Sequence, residues 1–151
     1  MPGEREYEAA ARYGRWREGS EMGRVGEGTV NTWQGAFPGE DSGTDGHVGT
    51  APVTAYGSRA GGFYNLVGNV WEWVRGGKGA ERFVRGASYA DSVGGEVNHA
   101  ATAASRSHVA EETSSCNIGF RCAKGVQRDG ASGGGDGTKH TEKGMRYGHE
   151  L

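Results

Sequence analysis

Glycine occupies 30 of the 151 positions. A residue with no side chain to bury and the widest backbone freedom opposes long regular helices and strands. Leu, Ile, Val and Phe together number 19, below the roughly 20% share from which ordinary globular cores are built. A large aliphatic core is therefore excluded. Such poverty usually accompanies disorder, yet disordered chains also carry high net charge, and here the balance is −2 with a pI near 6.2. That balance argues against wholesale disorder and against electrostatic steering to nucleic acid. The length suits one domain or part of a larger one.

No apolar run approaches the roughly 20 residues of a membrane-spanning helix, and the opening Met1 to Tyr7 is charged, unlike a signal peptide. Neither a membrane nor a nucleic-acid partner is expected. Cys116 and Cys122 are open to three readings: a local disulfide, two free thiols, or bonds to sequence not present here.

Glu4 to Arg12 carries strong helix formers, with Gly14 as a stop. Gly14 to Gly28 reads as surface loop. From Val30 to Pro52, glycines recur every few residues, with neither a 3.6- nor a 2-residue period, so order there must come from something other than regular ladders. Phe63 to Val74 is the densest apolar stretch, Arg82 to Tyr89 reads as a short strand running into a glycine turn, and Asn117 to Ala123 as a last strand. Lys124 to Leu151 is too polar to offset its ordering entropy and reads as a flexible tail.

Three clusters are chemically suggestive. Asn31 to His47 places Asn31, Asp41 and Asp45 oxygens in a glycine-rich loop, which suits either a hard cation or Asx turns. Asn65 to Trp73 places Asn65 and Glu72 around a glycine, and is readable as a second oxygen cage or as an aromatic core segment with a hydrogen-bonded Glu. Arg85 to Tyr89 (RGASY) holds Ser88 without the His and Asp spacing of an activated serine; His99 and His108 read as isolated surface or packing residues.

Taken in order, MPGEREYEAAARYG, WQGAFP, the Asp-Gly before TAPV, GNVWEW, RGASY and NIGFRCA resemble the sulfatase-modifying factor family, whose prototype is the formylglycine-generating enzyme. The resemblance covers residues 1–124, with 125–151 as a disordered tail, and it implies an α+β fold of the C-type-lectin-like kind, sparse in regular structure. It also implies that the chain is a partial domain. RGASY followed by Asp91 and Asn98-His99 is most similar to the family's catalytically silent, endoplasmic-reticulum branch. The active enzymes place two copper-binding cysteines where Asp91 and Glu96 stand here. Carboxylates prefer harder ions than Cu(I), so copper is not expected. Thr102 falls near the family's cleft arginine, while Trp71, Ser88 and Asn117 match groove positions. The family's structural calcium sites map to Asn31, Thr32, Asp45 and His47, and to Asn65, Gly68, Val70 and Glu72. A family disulfide is implied at Cys122, although Ala11 stands at its helix partner, which leaves Cys116 or upstream sequence.

The function the resemblance implies is non-catalytic: binding of sulfatases, or of the active formylglycine-generating paralogue, to limit sulfatase activation. A dimer is compatible with it. An unusual active oxidoreductase of the formylglycine-generating or ergothioneine-synthesis type and a lectin-like ligand-binding module are the alternatives. The terminal Gly148 to Leu151 resembles a KDEL-type retention signal, so the full-length protein is expected in the endoplasmic reticulum lumen.

Overall fold

The computed structural model describes residues 1–13, 29–56, 61–125 and 145–146. The chain divides into two units, Met1–Arg121 and Cys122–Leu151. The expected surface loop, most of the expected tail and the terminal Gly148 to Leu151 lie outside the described residues.

The first unit opens with helix α1 (Glu4–Tyr13). Gly3 caps it: its carbonyl accepts from Tyr7 N at 2.9 Å, and its N–H is accepted by Glu6 Oε2 at 2.7 Å, the reach-back of a capping box. Tyr7, Ala10 and Ala11, three and four residues apart, form the buried face. Beneath it lies Arg85, with 3% of its side chain exposed, between Glu4 and Glu8 at 3.2 and 3.3 Å. Its guanidinium also sits over the Tyr7 ring. A buried guanidinium is tolerable only when paired and hydrogen-bonded in this way.

The sheet comprises β1 (Trp71–Lys78), β2 (Glu81–Arg85), β3 (Arg106–Ala110) and β4 (Ile118–Phe120). Its order is β3-β2-β1-β4. β1 and β2 form an antiparallel hairpin with an irregularity between Trp73 and Gly77, where four-residue spacing on β1 faces two-residue spacing on β2. β4 joins β1 in parallel, pairing Trp71 with Ile118 and Glu72 with Gly119. The second half of β1 and all of β3 were not apparent from the sequence. Gly76 and Gly77 obscure the one, and the short RSHVA alternation lacks aromatics in the other. In the second unit, β5 (Lys124–Gly125) pairs antiparallel with β6 (Met145–Arg146).

The apolar core is small: Val30, Leu66, Val67, Trp71, Val74, Val84, Ala87 and Ala101 are buried in the first unit together with the helix face. Almost as many polar residues are buried, among them Asn31, Thr32, Asp45, Asn69, Glu72, Ser88 and Asp91. Because each such group must find partners when taken out of water, a fixed polar network supplements the aliphatic packing. Between Val30 and Pro52 the chain indeed forms turns and bends without a ladder.

Candidate functional site

Asn69 joins two of the clusters. Its Oδ1 accepts from Asn31 Nδ2 at 3.0 Å and from Ala51 N at 2.8 Å, and its Nδ2 donates to Ala51 O at 3.2 Å. Its backbone N–H donates to Asn31 O at 2.9 Å. The approach is so close that a Cβ on the preceding Gly68, at φ +73°, would lie 2.3 Å from the Asn31 carbonyl oxygen; only glycine fits there.

Asp45 organises the other end of the first cluster. Its Oδ2 accepts from Thr32 N and Gln34 Nε2, both at 2.9 Å, and its Oδ1 accepts from His47 N at 3.0 Å. Asn31, Thr32, Asp45 and His47 are thus drawn into one region. Asn31 Nδ2 is also accepted by Gly49 O at 2.8 Å, yet its Oδ1 is buried without a donor, as are Thr32 Oγ1, Asp41 Oδ2 and the Tyr56 hydroxyl. The Tyr56 phenol is pushed up to about 12 by burial, then by the charge of Asp45 and a loose hydrogen-bonding approach to that carboxylate, longer than an ordinary bond, and last by Asp41. Buried oxygens without donors beside two carboxylates are costly unless a cation or water satisfies them. An all-oxygen donor set suits a hard cation.

The second expected set is different. Glu72 is 6% exposed, and both its carboxylate oxygens are held by the Arg121 side chain, a residue the sequence reading left out. Arg121 also donates to Tyr64 O at 3.0 Å and Asn65 O at 3.3 Å. The Asn65 amide donates to Pro52 O and Val53 O at 3.2 and 3.1 Å. Burial raises the Glu72 acid above its ordinary value despite the arginine. With the only carboxylate of the Asn65, Gly68, Val70 and Glu72 set neutralised by a guanidinium, the first set fits a cation better. Among the described residues no three His, Cys, Asp or Glu side chains converge, so each set combines one carboxylate with amide, hydroxyl or carbonyl oxygens.

The third cluster lies at the end of β2. Ala87, buried and left-handed at φ +63°, turns the chain sharply into Ser88, an uncommon conformation for a residue with a Cβ. Ser88 is fully buried. Its Oγ donates to Asp91 Oδ2 at 2.6 Å and accepts from Ala90 N at 3.2 Å and Asn117 Nδ2 at 3.3 Å. Asp91, 2% exposed, also accepts from Ser88 N at 2.8 Å and His99 N at 3.1 Å, and its Oδ1 lies 2.9 Å from His99 Nδ1. Asn98 closes this loop from φ +52° by donating to Ala90 O at 2.6 Å. The His99 ring, over half exposed, meets Trp71 edge to face with centroids 5.2 Å apart, and Trp71 N donates to Asn117 O at 2.8 Å.

Trp71, Ser88 and Asn117 are therefore brought together. His99 joins them, and the expectation that it is isolated is corrected. Local spacing hid it, because the His–Asp contact spans eight residues of irregular loop. The order is Ser–Asp–His, with the carboxylate between the other two. A serine nucleophile needs its hydroxyl on an imidazole base, so this is no activated serine. Glu96 does not join them; it is exposed and accepts from Ser92 Oγ at 2.9 Å. Thr102 is tied into a turn by Ser105, with its N–H 3.0 Å from Ser105 Oγ. His108 stands on β3 near Glu81 at 3.7 Å. Cys116 and Cys122 are exposed free thiols, and Cys116 Sγ contacts the Tyr89 hydroxyl at 3.2 Å.

A mixed sheet with a capped helix, long irregular loops and a buried polar cluster at Ser88 fits the sulfatase-modifying factor class. The family model for the sulfatase-modifying factor enzyme 1-like domain matches residues 1–126, and the chain belongs to this family. It is 40% identical over 134 residues to a Bos taurus protein named inactive C-alpha-formylglycine-generating enzyme 2, an alignment covering 85% of this chain and 44% of that protein. It is 38% identical over 147 residues to the formylglycine-generating enzyme of Streptomyces coelicolor, covering 82% and 46%. The chain thus spans about half the length of these curated relatives. Among solved structures it resembles Treponema denticola variable protein 1, with a TM-score of 0.55 at 22% identity, covering 80% of this chain and 45% of that one. The likeness supports the C-type-lectin-like fold.

Proposed function

We propose that this chain belongs to a non-catalytic sulfatase-modifying-factor paralogue that binds sulfatases, or the active formylglycine-generating paralogue, and thereby limits sulfatase activation. The observation that carries the reading is Asp91. At the position where the family's active members carry a copper-binding thiol stands a buried carboxylate, both of whose oxygens are engaged by Ser88 and His99. A hard carboxylate is a poor ligand for soft Cu(I), and Glu96 accepts a hydrogen bond from Ser92 Oγ instead. Trp71, Ser88 and Asn117, which the resemblance assigns to the family's groove, stand together beside Asp91, which supports binding without turnover. Similarity to a relative named as inactive accords with this.

Calcium is the proposed structural ion. Asn31, Thr32, Asp45 and His47 would hold it at the first position, with Asn65, Gly68, Val70 and Glu72 as a weaker second. Bound there, it would supply positive charge to donorless buried oxygens. Residence in the endoplasmic reticulum lumen is the proposed location, supported by the resemblance to the family's silent branch. Localisation of the full-length protein to another compartment would refute it.

Two measurements separate binding from catalysis. The full-length protein is expected to co-purify with a sulfatase bearing an unconverted cysteine, or with the active paralogue, and to yield no aldehyde from a sulfatase-type cysteine peptide with copper, as read by mass spectrometry. Aldehyde above a buffer control, lost in Asp91→Ala, would show that the carboxylate had replaced the thiolate.

A further inference from the structure

We propose that Asp41 is a second carboxylate ligand of the cation position at Asn31, Thr32, Asp45 and His47, so that two negative charges hold the ion there. The inference deepens the calcium reading above and rests on it. The resemblance maps a single carboxylate, Asp45, to that position and leaves Asp41 without a role.

One residue, Gln34, fixes both carboxylates. Its backbone N–H donates to Asp41 Oδ1 at 3.1 Å, and its side-chain amide donates to Asp45 Oδ2 at 2.9 Å while its Oε1 accepts from Asp45 N at 2.8 Å. Gln34 is itself buried, so the two acids hang from one rigid frame. Gly43 N, at 3.2 Å, supplies a second donor to the same Oδ1 of Asp41. The other oxygen, Oδ2, is buried and has no donor. A carboxylate oxygen taken out of water in that state is costly.

The surroundings of that oxygen point to a cation. Tyr56 packs edge to face on His47 with ring centroids 5.8 Å apart, and its buried hydroxyl lies in the field of both Asp45 and Asp41. The two carboxylates therefore bear on one place. Asn31 and Thr32, both fully buried, add an amide and a hydroxyl oxygen that also lack partners, and Thr32 is anchored to Asp45 through its own N–H. Among the described residues every donor to Asp41 and Asp45 is neutral: backbone N–H groups and the Gln34 amide. Glu72 is the contrast, because a guanidinium takes both its oxygens. Like charges sharing a site repel unless a counter-charge lies between them, and the number of charged ligands is one of the features that tune calcium affinity. Asp41 is thus placed to strengthen the site by its charge as well as by its free oxygen.

The test uses the full chain, stripped with chelator and titrated with calcium in a calorimeter. Asp41→Asn keeps an oxygen for the Gln34 and Gly43 N–H groups and removes the charge. It should weaken calcium binding at least about tenfold, the lower end of what a lost supporting group costs a metal site. A second measurement needs no variant to fold: with aspartate Cγ carbons labelled in the wild type, calcium should shift the 13C resonances of two aspartates. Unchanged affinity in Asp41→Asn where Asp45→Asn abolishes binding, or a shift confined to one aspartate, would overturn the role of Asp41 and leave the calcium reading standing. A wild type that binds no calcium would overturn both.

Discussion

Asn69→Ala tests whether polar contacts hold this fold as firmly as its small core. The side chain is 7% exposed and makes three hydrogen bonds, to Asn31 Nδ2, Ala51 N and Ala51 O. Its removal leaves the Ala51 N–H without that acceptor at an 8% exposed position, a loss of about 1–3 kcal/mol. Asn31 Nδ2 keeps the Gly49 carbonyl and loses one of two acceptors, about 1 kcal/mol. The residue also sits at φ +66°, where alanine is strained by about 1 kcal/mol relative to conformations it prefers. The expected total is about 4 kcal/mol, a large share of the roughly 5–15 kcal/mol by which a typical domain is stable. Urea unfolding followed by tryptophan fluorescence should show the midpoint falling with the slope unchanged, and Asn69→Gly should recover part of the conformational component. A loss below about 1 kcal/mol in a cooperative transition would refute the idea that this amide ties the two loops together.

Excess chelator should lower the melting temperature, since a cation at a hundred times its dissociation constant contributes about 2.7 kcal/mol. Asn31→Ala should remove more of that calcium response than Asn65→Ala, and equal responses would contradict the ranking of the two positions. Gly86→Ala should destabilise by about 3 kcal/mol in the same urea assay, because at φ +93° the new Cβ would stand 2.5 Å from the Tyr7 hydroxyl and 2.7 Å from Leu66 O, prising apart the hydrogen bond between them; a neutral result would show that α1 shifts freely. Glu4 is held below its ordinary value of 4.5: burial pushes it upward, but the Arg106 and Arg85 guanidiniums outweigh burial. The unfolded chain thus takes up this proton at higher pH than the folded one, so the stability Glu4 contributes is present above about 4.5 and is lost as pH falls through the lower folded value. Glu4→Gln should flatten that part of the acid-unfolding curve, and an identical slope in the variant would rule it out.

Much of this molecule was legible along the chain because it depends on local properties. The alanine-rich segment with acidic residues in its first turn favours the helix that α1 forms, and the glycine-laden stretch around Trp33 disfavours regular structure. The ordered motifs from WQGAFP to NIGFRCA carry the family, and Asp91 was legible as the carboxylate standing three residues beyond Ser88. Tertiary structure decided which polar groups meet. Asn69 reaches back 38 residues to Asn31, Arg121 reaches 49 residues to neutralise Glu72, and His99 folds over an irregular loop onto Asp91. Hydrophobic periodicity reports which face of an element is buried, but it says nothing about the partner a buried amide, carboxylate or imidazole will find. In a chain with so little aliphatic surface, those partners set both how the irregular loops are held and the chemistry of the Ser88, Asp91 and His99 cluster.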